Sequence, residues 1–202
     1  IGKNIPKAAG FIYAAIFFVI ISATVMLSYV NTTRSLKQEL VYSNTALLHQ
    51  VMEKVEWILR EVDKDALNLL REPELRTIID DNYTSDLDRM QKLNEWMKKI
   101  ENMSSSNMHI HSAYLYAYGQ DLYVTPYIST HGAAFFDNYW RSSFDSYAGY
   151  YKWLGIRTLE DKTALYPASK QVLTLIRTYP AISAPSFRKG ALIVNLDESM
   201  IH

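Results

Sequence analysis

The chain has no cysteine, and that one absence removes disulfide frameworks, thiolate metal sites and cysteine nucleophiles together. It also has no net charge: 21 basic residues stand against 21 acidic ones. The global basic field of a nucleic-acid binder is therefore missing, and any DNA contact belongs elsewhere. Catalytic signatures are lacking too. There is no nucleophile elbow, no HExxH and no glycine-rich phosphate loop, so the chain is not expected to be an enzyme and no cofactor is expected. His109 and His111 fall at i and i+2 on one strand face, but with no third ligand nearby no metal site is expected. The match of Asn82-Tyr83-Thr84 to a glycosylation sequon is short enough to arise by chance and is given no weight.

What is there starts with a long apolar run. At about 150 residues per domain, 202 residues make one large domain or one domain with attachments. AAGFIYAAIFFVIISATVMLSYV, residues 8–30, carries no charge for 23 residues, which as a helix is about 34 Å, enough for a bilayer core of about 30 Å. A signal peptide has a shorter apolar region, about 7–15 residues, before a small-residue cleavage site. Here the run is longer and ends in NTTRS, so an uncleaved anchor is expected, with Tyr13 and Tyr29 near its ends. A buried core helix is the alternative. Lys3 and Lys7 precede the run and Arg34 and Lys37 follow it, so flanking charge orients the span poorly.

From residue 31 to about 71 there is no Gly or Pro, and apolar residues recur at Leu36, Leu40, Leu47, Val51, Val55, Ile58, Val62, Ala66 and Leu69. Spacings of three, four and seven predict one amphipathic helix continuous with the span, reaching roughly 60 Å over forty residues. Its second half, residues 51–70, is expected to pack on its own domain, and its first half to form a parallel seam in a homodimer. Pro73 then sits at a first-turn position of a short helix. Ser85 with Asp88 three residues on reads as an N-cap. Leu87, Met90, Leu93, Met97, Ile100 and Met103 make one face of the helix it opens.

Beyond SSSN, residues 104–107, the period changes from helical to alternating. Ser112, Tyr114, Tyr116 and Tyr118 face one way and Ala113, Leu115 and Ala117 the other. A turn at Gly119-Gln120 leads into DLYVTPY as a hairpin. A long aromatic stretch, FFDNYWRSSFDSYAGYYKWLGIR, then separates this hairpin from two further strands, VLTLIRTY and GALIVNLD. The order predicts an α+β fold: an antiparallel, PAS-like sheet with helices on one face and the aromatic insert on the other. A small-molecule pocket is expected between sheet and insert.

The span, the long helix, the break at residues 72–73 and strand pairs ending in VLTLIRTYP and KGALIVNLDE together resemble the membrane-distal half of the extracellular double-Cache, PAS-like sensor regions of bacterial transmembrane receptors. More narrowly, the chain resembles those of AraC-type membrane-bound transcriptional regulators and of YesM-like histidine kinases. The resemblance implies residues 1–7 as a cytoplasmic stub, 8–30 as the span, 31–71 as a signalling and dimerisation helix, and 72–202 as a Cache domain truncated before its second half. It places the sensor outside the cell membrane, with a small molecule or an envelope partner as the signal and no nucleic acid contacted by this region. Residues 173–177 and 191–197 are its two central strands, and Trp140 and residues 151–157 fall where such domains line their pocket. The Tyr, Arg, Trp and Asp signature of amino-acid-binding Cache domains is not cleanly present, so no ligand is implied. Without an initiator Met, the sequence is read as a piece of a longer receptor; His202 is read as an addition to it.

The candidate ligand-binding residues are Tyr116, Tyr118, Tyr123, Trp140, Tyr151, Trp153, Arg157 and Arg177. The tyrosines, with Tyr114, offer flat apolar bodies with polar tips for stacking on a ligand, or core packing under the insert. Trp140, Tyr150, Tyr151 and Trp153 lie in a long segment of little regular pattern, of the kind that tends to be functional. Arg157 and Arg177 are suited to bidentate contact with a carboxylate or sugar hydroxyls. If buried without a ligand, each needs an internal acceptor, and Asp137, Asp145 and Asp161 are available.

Overall fold

The computed structural model describes residues 5–132, 135–161, 168–181 and 184–201. The chain divides into two compact units, Ile1–Glu53 and Lys54–His202. Helix α1 covers Ile5–Leu70. Among the described residues it is the one helix long and apolar enough to cross a membrane, and Phe11, Phe17, Phe18 and Leu27 on it are exposed.

In the second unit α1 ends in a tightened turn, the Arg71 and Glu72 amides donating to the carbonyls of Asn68 and Leu69. Pro73 lies in the turn that follows rather than in the first helical turn, and the short α2, Leu75–Ile79, starts after Glu74. The chain bends there because proline cannot extend the ladder of α1. Helix α3, Asp86–Ser106, opens on Ser85, whose hydroxyl accepts from the Asp88 amide at 3.2 Å. The Asp88 carboxylate reaches back to the Thr84 amide at 2.9 Å, so two orphan donors are satisfied reciprocally.

Six strands follow: β1 Ile110–Ala117, β2 Leu122–Val124, β3 Ser129–His131, β4 Tyr151–Asp161, β5 Ala168–Tyr179 and β6 Gly190–Asp197, with helix α4, Arg141–Ser146, between β3 and β4. They form one sheet in the order β3-β2-β1-β6-β5-β4, antiparallel at every pairing. Both strands expected at the centre, β5 and β6, are interior. The two edge strands differ from the sequence expectation. The second half of the aromatic insert, from Tyr151 on, is not cover but strand, and the insert proper is residues 135–150. With a long helix, three further helices among the described residues and an antiparallel sheet, the architecture is α+β and PAS-like.

Strand alternation sorts the core into two layers. Ala113, Leu115, Leu175, Leu192 and Val194 pack against Ile58, Val62 and Ala66 of α1, Leu75 and Ile78 of α2, and Trp96 and Ile100 of α3. The intervening positions Tyr114, Tyr116, Tyr123, Ile176 and Ile193 pack under Phe135, Trp140, Phe144 and Leu154. Trp96 is fully buried, and truncating such a ring to alanine typically costs about 3–5 kcal/mol.

Candidate functional site

A row of three polar side chains crosses the buried insert face. Ser112 of β1, Asn195 of β6 and Thr174 of β5 are register partners on adjacent strands. The Thr174 hydroxyl donates to Asn195 Oδ1 at 2.7 Å, and Asn195 Nδ2 donates to Ser112 at 3.0 Å. Such a row on a face otherwise made of rings and aliphatic side chains needs charged company or water to be satisfied.

Arg157 of β4 supplies it. A register shift between Leu154 and Arg157 turns the arginine onto the same face. Its Nε donates to Thr174 at 2.8 Å and one Nη2 hydrogen to Asn195 Oδ1 at 3.0 Å. Its fork then closes on Asp137 of the insert, Nη1 to Oδ1 at 2.8 Å and Nη2 to Oδ2 at 2.6 Å. Arg157 is 8% exposed and Asp137 2%. The carboxylate also accepts from the Tyr114 hydroxyl at 2.6 Å and from Asn195 Nδ2 at 3.3 Å. Burial first, and the Asp137 charge after it, push the Tyr114 phenol well above its ordinary range, which keeps it a donor. The main-chain carbonyl of Asp137 accepts from the Trp140 indole at 2.9 Å. This closed node fastens the insert to the sheet; breaking such a pair by removing one partner typically costs about 3–5 kcal/mol.

The eight candidate residues divide between the two faces. Tyr116, Tyr123, Trp140 and Arg157 lie on the insert face. There Tyr116 and Tyr123 are core rings 4.8 Å apart, Arg141 donates to the Tyr116 hydroxyl at 2.8 Å, and burial pushes the Tyr123 phenol up to about 12. Tyr118, 52% exposed, belongs to the turn after β1. Tyr151, Trp153 and Arg177 lie on the helix face, where Trp153 packs on the helix-side core. Arg177 pairs with Asp63 of α1 and lies 5.3 Å from the ring centres of both Tyr150 and Tyr151. The acceptor for Arg177 therefore comes from the long helix. Asp137 is the acceptor for Arg157, Asp145 lies on α4, and the side chain of Asp161 and residue His202 lie outside the described residues.

None of these eight lines the cavity that adjoins the node. Strand β2 covers only residues 115–117 of β1, and past its end the chain turns through Thr125, whose hydroxyl holds the Ile128 carbonyl at 2.9 Å. The space beside His111, Ser112 and Tyr114 that a longer strand would fill is a cavity of about 480 Å³, within the range of small-molecule sites. Phe135, Phe136 and Leu159 bound it from the insert and β4, Tyr127 and Ile128 from the turn, and Ser104 from α3. The signal in the sequence for it is Pro126, which ends a three-residue strand early.

Two of the solved structures similar to this chain are the following. One is the extracellular domain of a protein assigned as a histidine kinase, at 14% identity and a TM-score of 0.43, with 74% of this chain and 57% of that one covered. The other is a domain assigned to a sensory box/GGDEF family protein from Vibrio parahaemolyticus, at 14% identity and a TM-score of 0.43, with 73% and 59% covered. The chain thus spans under three-fifths of the length of either. No protein-family model and no curated protein matches it.

Proposed function

We propose that this chain is the extracytoplasmic sensory input region of a bacterial transmembrane receptor, of Cache type. In this reading it binds a small molecule in the cavity beside Tyr114 and relays binding through α1 to a cytoplasmic transcription regulator of the AraC type. It is not an enzyme, and it works as a homodimer joined along residues 31–50.

The observation that carries the reading is the pairing of Arg177 with Asp63. It ties an interior strand of the sheet to the helix that also bears the apolar run, so a shift of the sheet reaches α1 by way of a charged contact as well as by core packing. Ligand can act only through a different affinity for two arrangements of that helix.

The test is a thermal-shift panel of sugars, amino acids, organic acids and phenols on the full chain in nanodiscs. A ligand at 100 times its Kd raises stability by about 2.7 kcal/mol. A hit abolished by Thr130→Trp, which fills the cavity, supports the reading; silence across the panel removes the small molecule from it. Joining the chain to a kinase core or to an AraC output and asking which one responds to the hit distinguishes the two kinds of receptor.

A further inference from the structure

Resting on the cavity as the ligand site, we infer the chemical class of its occupant: an uncharged aromatic compound bearing one or two hydroxyl groups. The argument is one of charge accounting. Among the described residues, no Asp, Glu, Lys or Arg lines the cavity. The charges of the adjoining node are spent on each other. Arg157 makes four hydrogen bonds, to Thr174, Asn195 and both oxygens of Asp137. Asp137 in turn accepts from Arg157, Tyr114 and Asn195. A carboxylate or ammonium entering here would lose its water and find no counter-charge among the described lining residues and none unspent in the node, which is costly.

What the walls offer instead is rings and hydroxyls. Phe135 meets Tyr114 edge-on at 4.7 Å between ring centres and lies 4.8 Å from Phe136, so an entering ring has edges and faces to pack on. Ser104, Ser112, Thr125 and Thr130 bring hydroxyls, each with one donor and two acceptor positions. Some of that capacity is used: Ser104 donates to the Ile100 carbonyl, Thr125 to that of Ile128, and Ser112 accepts from Asn195. The remainder suits one or two ligand hydroxyls.

Three probes of one shape separate the classes: para-hydroxybenzyl alcohol, para-hydroxybenzoate and para-hydroxybenzylamine. They are titrated by calorimetry into the full chain in nanodiscs at about pH 7.5, where a carboxyl is ionised and an aliphatic amine protonated. The alcohol is expected to bind saturably and the anion and cation at least about tenfold more weakly, roughly 1.4 kcal/mol. Thr130→Trp and Ser104→Trp are each expected to abolish its binding, and having two variants guards against one that fails to fold. If a charged probe binds as tightly as the alcohol and is lost in both variants, the class is wrong while the cavity stands as the site. If the alcohol binds equally well in both variants, the site is wrong. If the alcohol gives no saturable heat, the class is overturned, and with it the site when the broader panel is also silent.

Discussion

Replacing Asp137 by alanine removes the carboxylate that pairs with Arg157 while leaving the guanidinium under the insert. Both groups are almost wholly buried, and the fork geometry is bidentate at 2.6 and 2.8 Å, so solvent does not screen the pair. Loss of one partner of such a pair costs about 3–5 kcal/mol. For a unit of this size, at about 2–4 °C per kcal/mol, the melting midpoint falls by roughly 6–20 °C. The Tyr114 hydroxyl loses its acceptor in the same step, which pushes toward the upper end. The assay is thermal unfolding followed by circular dichroism on the full chain in nanodiscs, with added formate as a second arm. Formate fits the space vacated beside Arg157 and is expected to restore part of the loss in a concentration-dependent way, without effect on the parent chain. Asp137→Leu combined with Arg157→Met removes both charges and is expected to be more stable than Asp137→Ala, because no charge is left buried and unpaired. A loss under about 1 kcal/mol, the size of an exposed pair, would refute the claim that the node is closed and dry. So would a double variant whose loss is the sum of the two single losses.

Other consequences follow from the same geometry. Arg177→Met is expected to cost less than Asp137→Ala, about 1–3 kcal/mol in urea unfolding, because Asp63 is 30% exposed and can be rehydrated. In Gly190→Ala the new Cβ would lie 2.4 Å from the Tyr116 main-chain oxygen and 2.5 Å from Ile79 Cδ1. The isoleucine can turn away but the strand cannot, so about 1–3 kcal/mol is lost to overpacking. The hydrogen bond from Lys170 holds the Asp197 carboxyl at about 2, below the ordinary value of about 3.9. A depressed carboxylate stabilises the fold above its unfolded value and loses that contribution as pH falls toward the folded one. An NMR titration should therefore find Asp197 ionised down to about pH 2, and in Lys170→Ala its midpoint should move up.

The parts of this fold legible in the sequence are those fixed by local period and capping. Ser85 and Asp88 announced the start of α3, and alternation from Ser112 to Ala117 assigned the two faces of β1 correctly. VLTLIRTY and GALIVNLD, read as strands, are the interior β5 and β6. Strand β4 was hidden for a physical reason: the register shift between Leu154 and Arg157 breaks the period of two. Tyr151 and Trp153 then share the helix face, while Leu154, Arg157 and Leu159 share the other, and no single alternation fits the run. Strand β3, at three residues, is too short to carry a pattern. That a buried arginine needs an acceptor was legible, but which aspartate serves it depends on how the insert folds over the sheet, and Asp137 lies twenty residues from Arg157. The partner of Arg177, Asp63, lies 114 residues away on another element, beyond the reach of any local pattern. The cavity depends on where β2 stops, which is a property of pairing rather than of composition.

Whether the sheet unit stands outside the membrane is open to one direct measurement, and the lack of cysteine makes it clean. Met108, 89% exposed between α3 and β1, can be replaced by cysteine with no native thiol to confuse the signal. Cells producing Met108→Cys are treated with a membrane-impermeant maleimide before and after permeabilisation. A sensory input region facing the outside predicts full labelling of intact cells. Labelling that appears only after permeabilisation would contradict it.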